Sequence, residues 1–273
     1  MKILIATDME GITGVTTWDQ VTPGHAEYAR FRKLMTQDVN AAIRGAAEAG
    51  ADEIIVADGH WNGSNILVEE LDPRARLNTG SPSPFSMMQG IDESVDGVMF
   101  IGYHARNGSP NAVLDHTWSS KTVANVWLND MLTGEYGLNA AVAGYFGAPV
   151  IMASGDQTAC AEICDLLGDI ETAVVKQATG RYAAECLPPQ ITHPLIQNAA
   201  SRAAIRLMDG DSPDPFVVDA PVKVMIEFFQ SDMADRAVLA PGAQRSGSCV
   251  SLTAKEMVSA YQGFQAMVRL ALG

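Results

Sequence analysis

Short runs rich in β-branched residues alternate with stretches of helical periodicity along this chain, and that alternation constrains the fold more than any other feature. Residues 3–6, 53–57, 97–102, 149–153 and 172–176 read as strands. Strands separated by helix-length segments must return in the same direction. The expected fold is therefore α/β, a mostly parallel sheet flanked by helices. The first long helix is expected over residues 25–49, with Tyr28, Phe31, Met35, Val39, Ala42 and Ala46 on one apolar stripe and Gly50 as its stop. Residues 103–121 read as a loop, longer than a compact domain usually leaves idle. Turn-rich segments at 186–189 and 209–215 mark a composition break. Residues 1–185 are thus expected to form the larger α/β domain, with the metal-binding and catalytic residues, and 186–273 a second, smaller α+β domain. In the latter, 221–229 reads as a strand. A closing helix is expected to start from Thr253 and Glu256 in capping-box spacing, with Met257, Tyr261, Phe264 and Val268 on its apolar face.

Composition narrows the partners. The 273 residues are 47% hydrophobic, enough for a sizeable core, and 32 acidic against 18 basic residues give a formal charge of −14. That charge repels phosphate backbones and anionic lipid, which argues against nucleic-acid and membrane-surface binding, and it suits cations. The apolar run after Lys2 ends at Asp8, too short for a signal-peptide core, and no later run reaches about 18 apolar residues, so a cytoplasmic protein is expected. Four cysteines, Cys160, Cys164, Cys186 and Cys249, are too few to staple a chain of this size and are read as buried free thiols.

In open parallel sheets, ligands bind beyond the carboxyl ends of the strands. Asp8 and Glu10 follow the first strand, Asp58 and His60 the second, and His104 the strand ending Phe100-Ile101-Gly102-Tyr103. Three of the five histidines, His60, His104 and His116, fall in these rim loops, and Glu135 opens a nearly uncharged helix. Singly, each has an ordinary explanation: a loop histidine, or an acid at a helix N-terminus. Jointly, Asp8, Glu10, His60, His104 and Glu135 form a mixed nitrogen and oxygen set suited to borderline divalent metals. Five ligands exceed what one tetrahedral ion with an open position needs and suit two ions sharing a carboxylate, with Asp8 as the natural bridge. Asp58 is expected behind His60 as an acceptor orienting its imidazole. His116 is left for proton transfer or for stabilising an oxyanion, or else is a loop histidine paired with Asp115. The sequence has no Walker loop, no G-x-S-x-G elbow and no H-E-x-x-H helix.

Residues 8–11 (D-M-E-G), 58–60 (D-G-H), 102–106 (G-Y-H-A-R) and 134–140 (G-E-Y-G-L-N-A) resemble the motifs of the D-aminopeptidase family of zinc metallopeptidases associated with dipeptide-transport operons. Residues 84–87, 175–177 and 260–262 extend the likeness over nearly the whole chain. The resemblance implies a dinuclear zinc aminopeptidase acting on short peptides with a preference for N-terminal D-amino acids. It also implies Asp8, Glu10, His60, His104 and Glu135 as ligands of two zinc ions, His116 as the catalytic histidine, and a homo-oligomer, a ring-shaped decamer enclosing the active sites. Two rivals remain on the residues alone. One is a dinuclear hydrolase of another small amide or ester. The other is a non-catalytic peptide-binding protein whose metal is structural.

Overall fold

Successive residues of β1 (Lys2–Thr7) enter two different cores, as the period of two in a strand requires: Ile3 and Ile5 pack on one face, Leu4 and Ala6 on the other. A computed structural model describes the whole chain, Met1–Gly273. β1 is an interior strand of a seven-stranded sheet. β2 (Glu53–Asp58) and β3 (Ala75–Asn78) lie to one side of it, and β4 (Gly97–Ile101), β7 (Val150–Asp156), β8 (Glu171–Gly180) and β9 (Ala183–Cys186) to the other. All pairs are parallel except the last, β8 with β9. All five expected strands are present, each in a parallel pair. The chain leaves β1 towards β3, then crosses back to β4. The reversal of direction, where ligand crevices form in such sheets, therefore falls between β1 and β4.

After the short α1 (Trp18–Val21), the Ile3 face is covered by α2 (Tyr28–Glu48) and α5 (Pro189–Met208), while α4 (Gln157–Leu167) follows β7. α2 ends where expected, with Gly50 at φ +97° and the Ala51 N–H donating to the Ala46 carbonyl. Gly45 of α2 faces α5, where a Cβ would sit 2.1 Å from the Gln197 carbonyl oxygen. Gly45→Ala is thus expected to lower stability by about 1–3 kcal/mol through overpacking, despite alanine's better helix propensity. An unchanged urea midpoint would show that the two helices separate freely.

The Leu4 face is covered by a second, antiparallel sheet and its helices. Its order is β11 (Gln244–Ser246), β12 (Cys249–Ala254), β10 (Val222–Phe228), β5 (Val123–Leu128) and β6 (Met131–Thr133). α3 (Glu135–Tyr145) and α7 (Met257–Leu272) pack with it, and α6 (Ser231–Ala237) lies against α7. The two sheets interlock across residue 185: β5 and β6 lie before it yet complete the antiparallel sheet, while α5 lies after it yet covers the parallel one. The composition break thus follows neither sheet. The closing helix also begins differently from the capping-box reading. Thr253 is a strand residue paired with Lys223, and the N-cap is Glu256, with no side-chain cap. The apolar face is as expected, with Met257, Tyr261, Phe264 and Val268 all buried. No helix is long and apolar enough to cross a membrane. The four cysteines are free, but only Cys160 is buried, and Cys186 is exposed.

Candidate metal centre

The loops after β1 and β4 cross in contact. The Asp8 N–H donates to the Ile101 carbonyl and the Gly11 N–H to the Gly102 carbonyl, both at 2.8 Å. A Cβ on Gly11 would lie 2.0 Å from the Tyr103 oxygen, and one on Gly102, at φ +77°, 2.3 Å from the Asp8 oxygen. Glycine at both positions is what lets the loop carrying Asp8 and Glu10 lie against the loop carrying His104.

Six side chains converge there, all buried: Asp8, Glu10, His60, His104, His116 and Glu135. His60 Nδ1 lies 3.1 Å from both Asp8 Oδ1 and Glu10 Oε2. His104 Nε2 lies 3.3 Å from both Asp8 Oδ2 and Glu135 Oε2. Asp8 therefore stands between the two imidazoles, offering one oxygen to each. Glu135 is held from behind by the Trp118 N–H, which donates to Oε2.

The second nitrogen of each imidazole is committed to the backbone. His60 Nε2–H donates to the Val21 carbonyl at 2.7 Å and His104 Nδ1–H to the Ala105 carbonyl at 2.9 Å. In a neutral ring, the nitrogens facing the carboxylates must then carry lone pairs, so acceptor faces acceptor unless a proton or a metal ion lies between. Burial opposes the charge on both rings, but Glu10 and Asp8 hold His60, and Glu135 and Asp8 hold His104, protonated well above the usual histidine range in the metal-free chain. Burial and the neighbouring Asp8 push the Glu10 carboxyl upward. Asp8 Oδ2, Glu10 Oε2 and His104 Nε2 are buried without an aligned hydrogen bond. Orphaned lone-pair atoms of this kind, with the far side of each imidazole fixed by a carbonyl, fit one or more divalent ions. Two triads have ligand atoms mutually within 4.8 Å: Asp8, Glu10 and His104, and His104, His116 and Glu135.

The structure thus gathers all five residues expected as ligands, and it brings His116 against them. Its ring stacks on His104 with centroids 3.9 Å apart, and Trp18 meets it edge-on. His116 Nδ1 bonds to the Leu114 carbonyl at 2.9 Å. Burial, with the neighbouring His104, keeps the ring neutral to well below the usual range. Asp115 does not pair with it, but binds Arg181 and the Gly108 N–H. Asp58 does not reach the His60 ring either. It accepts from the Asn65 and Ile66 N–H groups and from the Asn65 amide, which in turn donates to the His60 carbonyl. Asp58 therefore places His60 through the turn and leaves the imidazole to Val21.

One contributor was not picked out for any role on physical grounds. Lys176 of β8 is fully buried, and its ammonium donates to the carbonyls of Glu10, Ile12 and Val15 at 2.6, 3.0 and 2.8 Å. Burial pulls its pKa down to about 8. Its signal was a lone cation inside an apolar parallel strand, where a charge needs dedicated partners.

Beside the six residues opens a cavity of about 470 Å³, lined by Asp8, Glu10, His60, His116 and Glu135 together with Trp18, Trp61 and Trp118. Residues 1–266 match the D-aminopeptidase family. The chain belongs to that family. A curated D-aminopeptidase of Bacillus subtilis (strain 168) is 38% identical over 275 residues, spanning 100% of this chain and 98% of the relative. A solved structure described as the Zn-dependent D-aminopeptidase DppA from Bacillus subtilis, a self-compartmentalizing protease, superposes with a TM-score of 0.96 at 37% identity, covering 100% of this chain and 98% of that one. The D-aminopeptidase fold is thus shared over the full length, including the interlocked sheets.

Proposed function

We propose that this member of the D-aminopeptidase family is a zinc aminopeptidase that releases the N-terminal residue, preferentially a D-amino acid, from short peptides. Asp8, Glu10, His60, His104 and Glu135 would hold two zinc ions, with Asp8 shared between them. The observation that carries the reading is the pair of buried imidazoles whose backbone bonds leave lone pairs facing three carboxylates at the wall of a cavity. A purely structural metal would be closed off by its ligands, whereas this set opens onto space for a small molecule.

Zinc at this place would polarise the scissile carbonyl and make water a competent nucleophile near neutral pH. The chain's own residues supply the proton handling. Neutral His116, with Nδ1–H bonded to Leu114, presents Nε2 as an acceptor beside the ligand cluster. It accepts a proton from the attacking water at Nε2 and returns it to the leaving nitrogen. The stacked His104 ring and the edge of Trp18 hold its plane. The relative's description as self-compartmentalizing supports a homo-oligomer, and we assign this chain a ring-shaped decamer acting in the cytoplasm. Enclosure of the sites would restrict access to short peptides.

The test is metal analysis followed by hydrolysis of D-alaninamide and L-alaninamide. Two zinc ions per chain and faster release from the D-amide are expected. Failure of the metal-loaded protein to cleave either amide would remove the aminopeptidase reading.

A further inference from the structure

The cavity that begins at Asp8, Glu10 and Glu135 has a cationic wall as well. Lys121, where the 103–121 loop ends, and Arg269, in the last turn of α7, both line it. In a chain with 32 acidic residues, basic side chains commonly find a carboxylate, as Arg181, Arg206 and Arg245 do. Lys121 and Arg269 form no ion pair. The only side-chain partner of Arg269 is the Gln265 amide oxygen, one turn back on α7 at 3.4 Å. Gln265 is itself buried and tied by Nε2–H to the Pro84 carbonyl, so it anchors the guanidinium without neutralising it.

We infer that Lys121 and Arg269 form a subsite for the free C-terminal carboxylate of a short peptide, an inference that rests on the aminopeptidase reading. A cavity of about 470 Å³ is at the small end of the ligand range of about 300–1,000 Å³. A peptide with its N-terminal residue among the buried acids and imidazoles has room in such a cavity for few further residues before its carboxylate meets the cations of the same lining. A guanidinium fork and an ammonium, neither of them in an ion pair, match that group in charge and geometry. The subsite sets a preferred length: a longer peptide carries its carboxylate past the cations, and a C-terminal amide has no charge to place there.

The experiment compares D-alanylglycine with D-alanylglycinamide on the zinc-loaded protein, by KM and by calorimetric binding. The free acid is expected to bind about tenfold more tightly, the size of one charge-assisted contact that is partly open to solvent. Raising the salt from about 0.1 M to about 1 M, which shortens the screening length from about 10 Å to about 3 Å, is expected to erode that preference. In the Lys121→Met, Arg269→Met double variant the ratio of acid to amide is expected to fall close to one. A merely structural role for the two side chains would not change this ratio. Equal binding of acid and amide by the parent protein would overturn the subsite while leaving the hydrolysis of D-alaninamide to speak for the enzyme. Discrimination in calorimetry without hydrolysis of any substrate would keep the subsite and sink the enzymatic reading.

Discussion

His104→Ala is expected to bind at most one zinc ion per chain and to lose at least about 10³-fold in kcat/KM, because a metal that polarises a carbonyl supplies several kcal/mol of transition-state stabilisation. The reason lies in the position of this ring. His104 Nε2 is 3.3 Å from Asp8 and from Glu135, and it belongs to both groups of side chains able to hold a metal. Removing it leaves two buried carboxylates facing each other with no nitrogen between them. It also removes the face against which His116 stacks. Zinc stoichiometry by atomic absorption separates metal loss from misfolding, provided the variant keeps the parent's circular dichroism. A folded variant with two zinc ions and parent-like turnover would refute the assignment of His104.

Lys176→Met should cost stability on the scale of the whole domain's margin. Methionine fills similar space but leaves the carbonyls of Glu10 and Val15 buried with no donor, while that of Ile12 keeps only the Val15 N–H. Each unsatisfied acceptor costs about 1–3 kcal/mol, and with some relaxation the expected loss is about 3–5 kcal/mol in urea unfolding. The three carbonyls belong to the turn that carries Glu10. Zinc affinity is therefore expected to fall alongside stability, even though Lys176 touches no metal-facing atom. A loss within about 1 kcal/mol would mean that water or backbone shifts replace the ammonium.

Much of this centre is written at the strand ends. Asp8, His60 and His104 could be placed at one rim because a parallel sheet delivers every strand's carboxyl end to the same edge, and β1, β2 and β4 are adjacent. Glu135 was legible as a carboxylate at the mouth of an apolar helix. The roles of Asp58 and His116 were less so, since they depend on which carbonyl each imidazole reaches, and Val21 and Leu114 carry no side-chain signal of that contact. The interlocking of the sheets was hidden for a different reason. β5 and β6 are short and follow a long loop, and the hairpin joins the sheet only through the pairing of β5 with β10, a contact distant in sequence that no local pattern reveals. Thr253 and Glu256 have the spacing of a capping box, but pairing with β10 carries the strand through Ala254 and overrides the local preference.

That interlocking has a consequence for how the molecule is made. Leu128 of β5 pairs with Val224 of β10, so one edge of the β5–β6 hairpin has no partner until the ribosome has delivered the chain beyond residue 222. The residues expected to hold metal, Asp8 to Glu135, are all translated before that edge is covered. The nascent chain thus carries these side chains beside an open, apolar strand edge for a long stretch of synthesis, the condition under which strands pair wrongly with other chains. Messages truncated before β10 should give insoluble product, whatever metal is supplied.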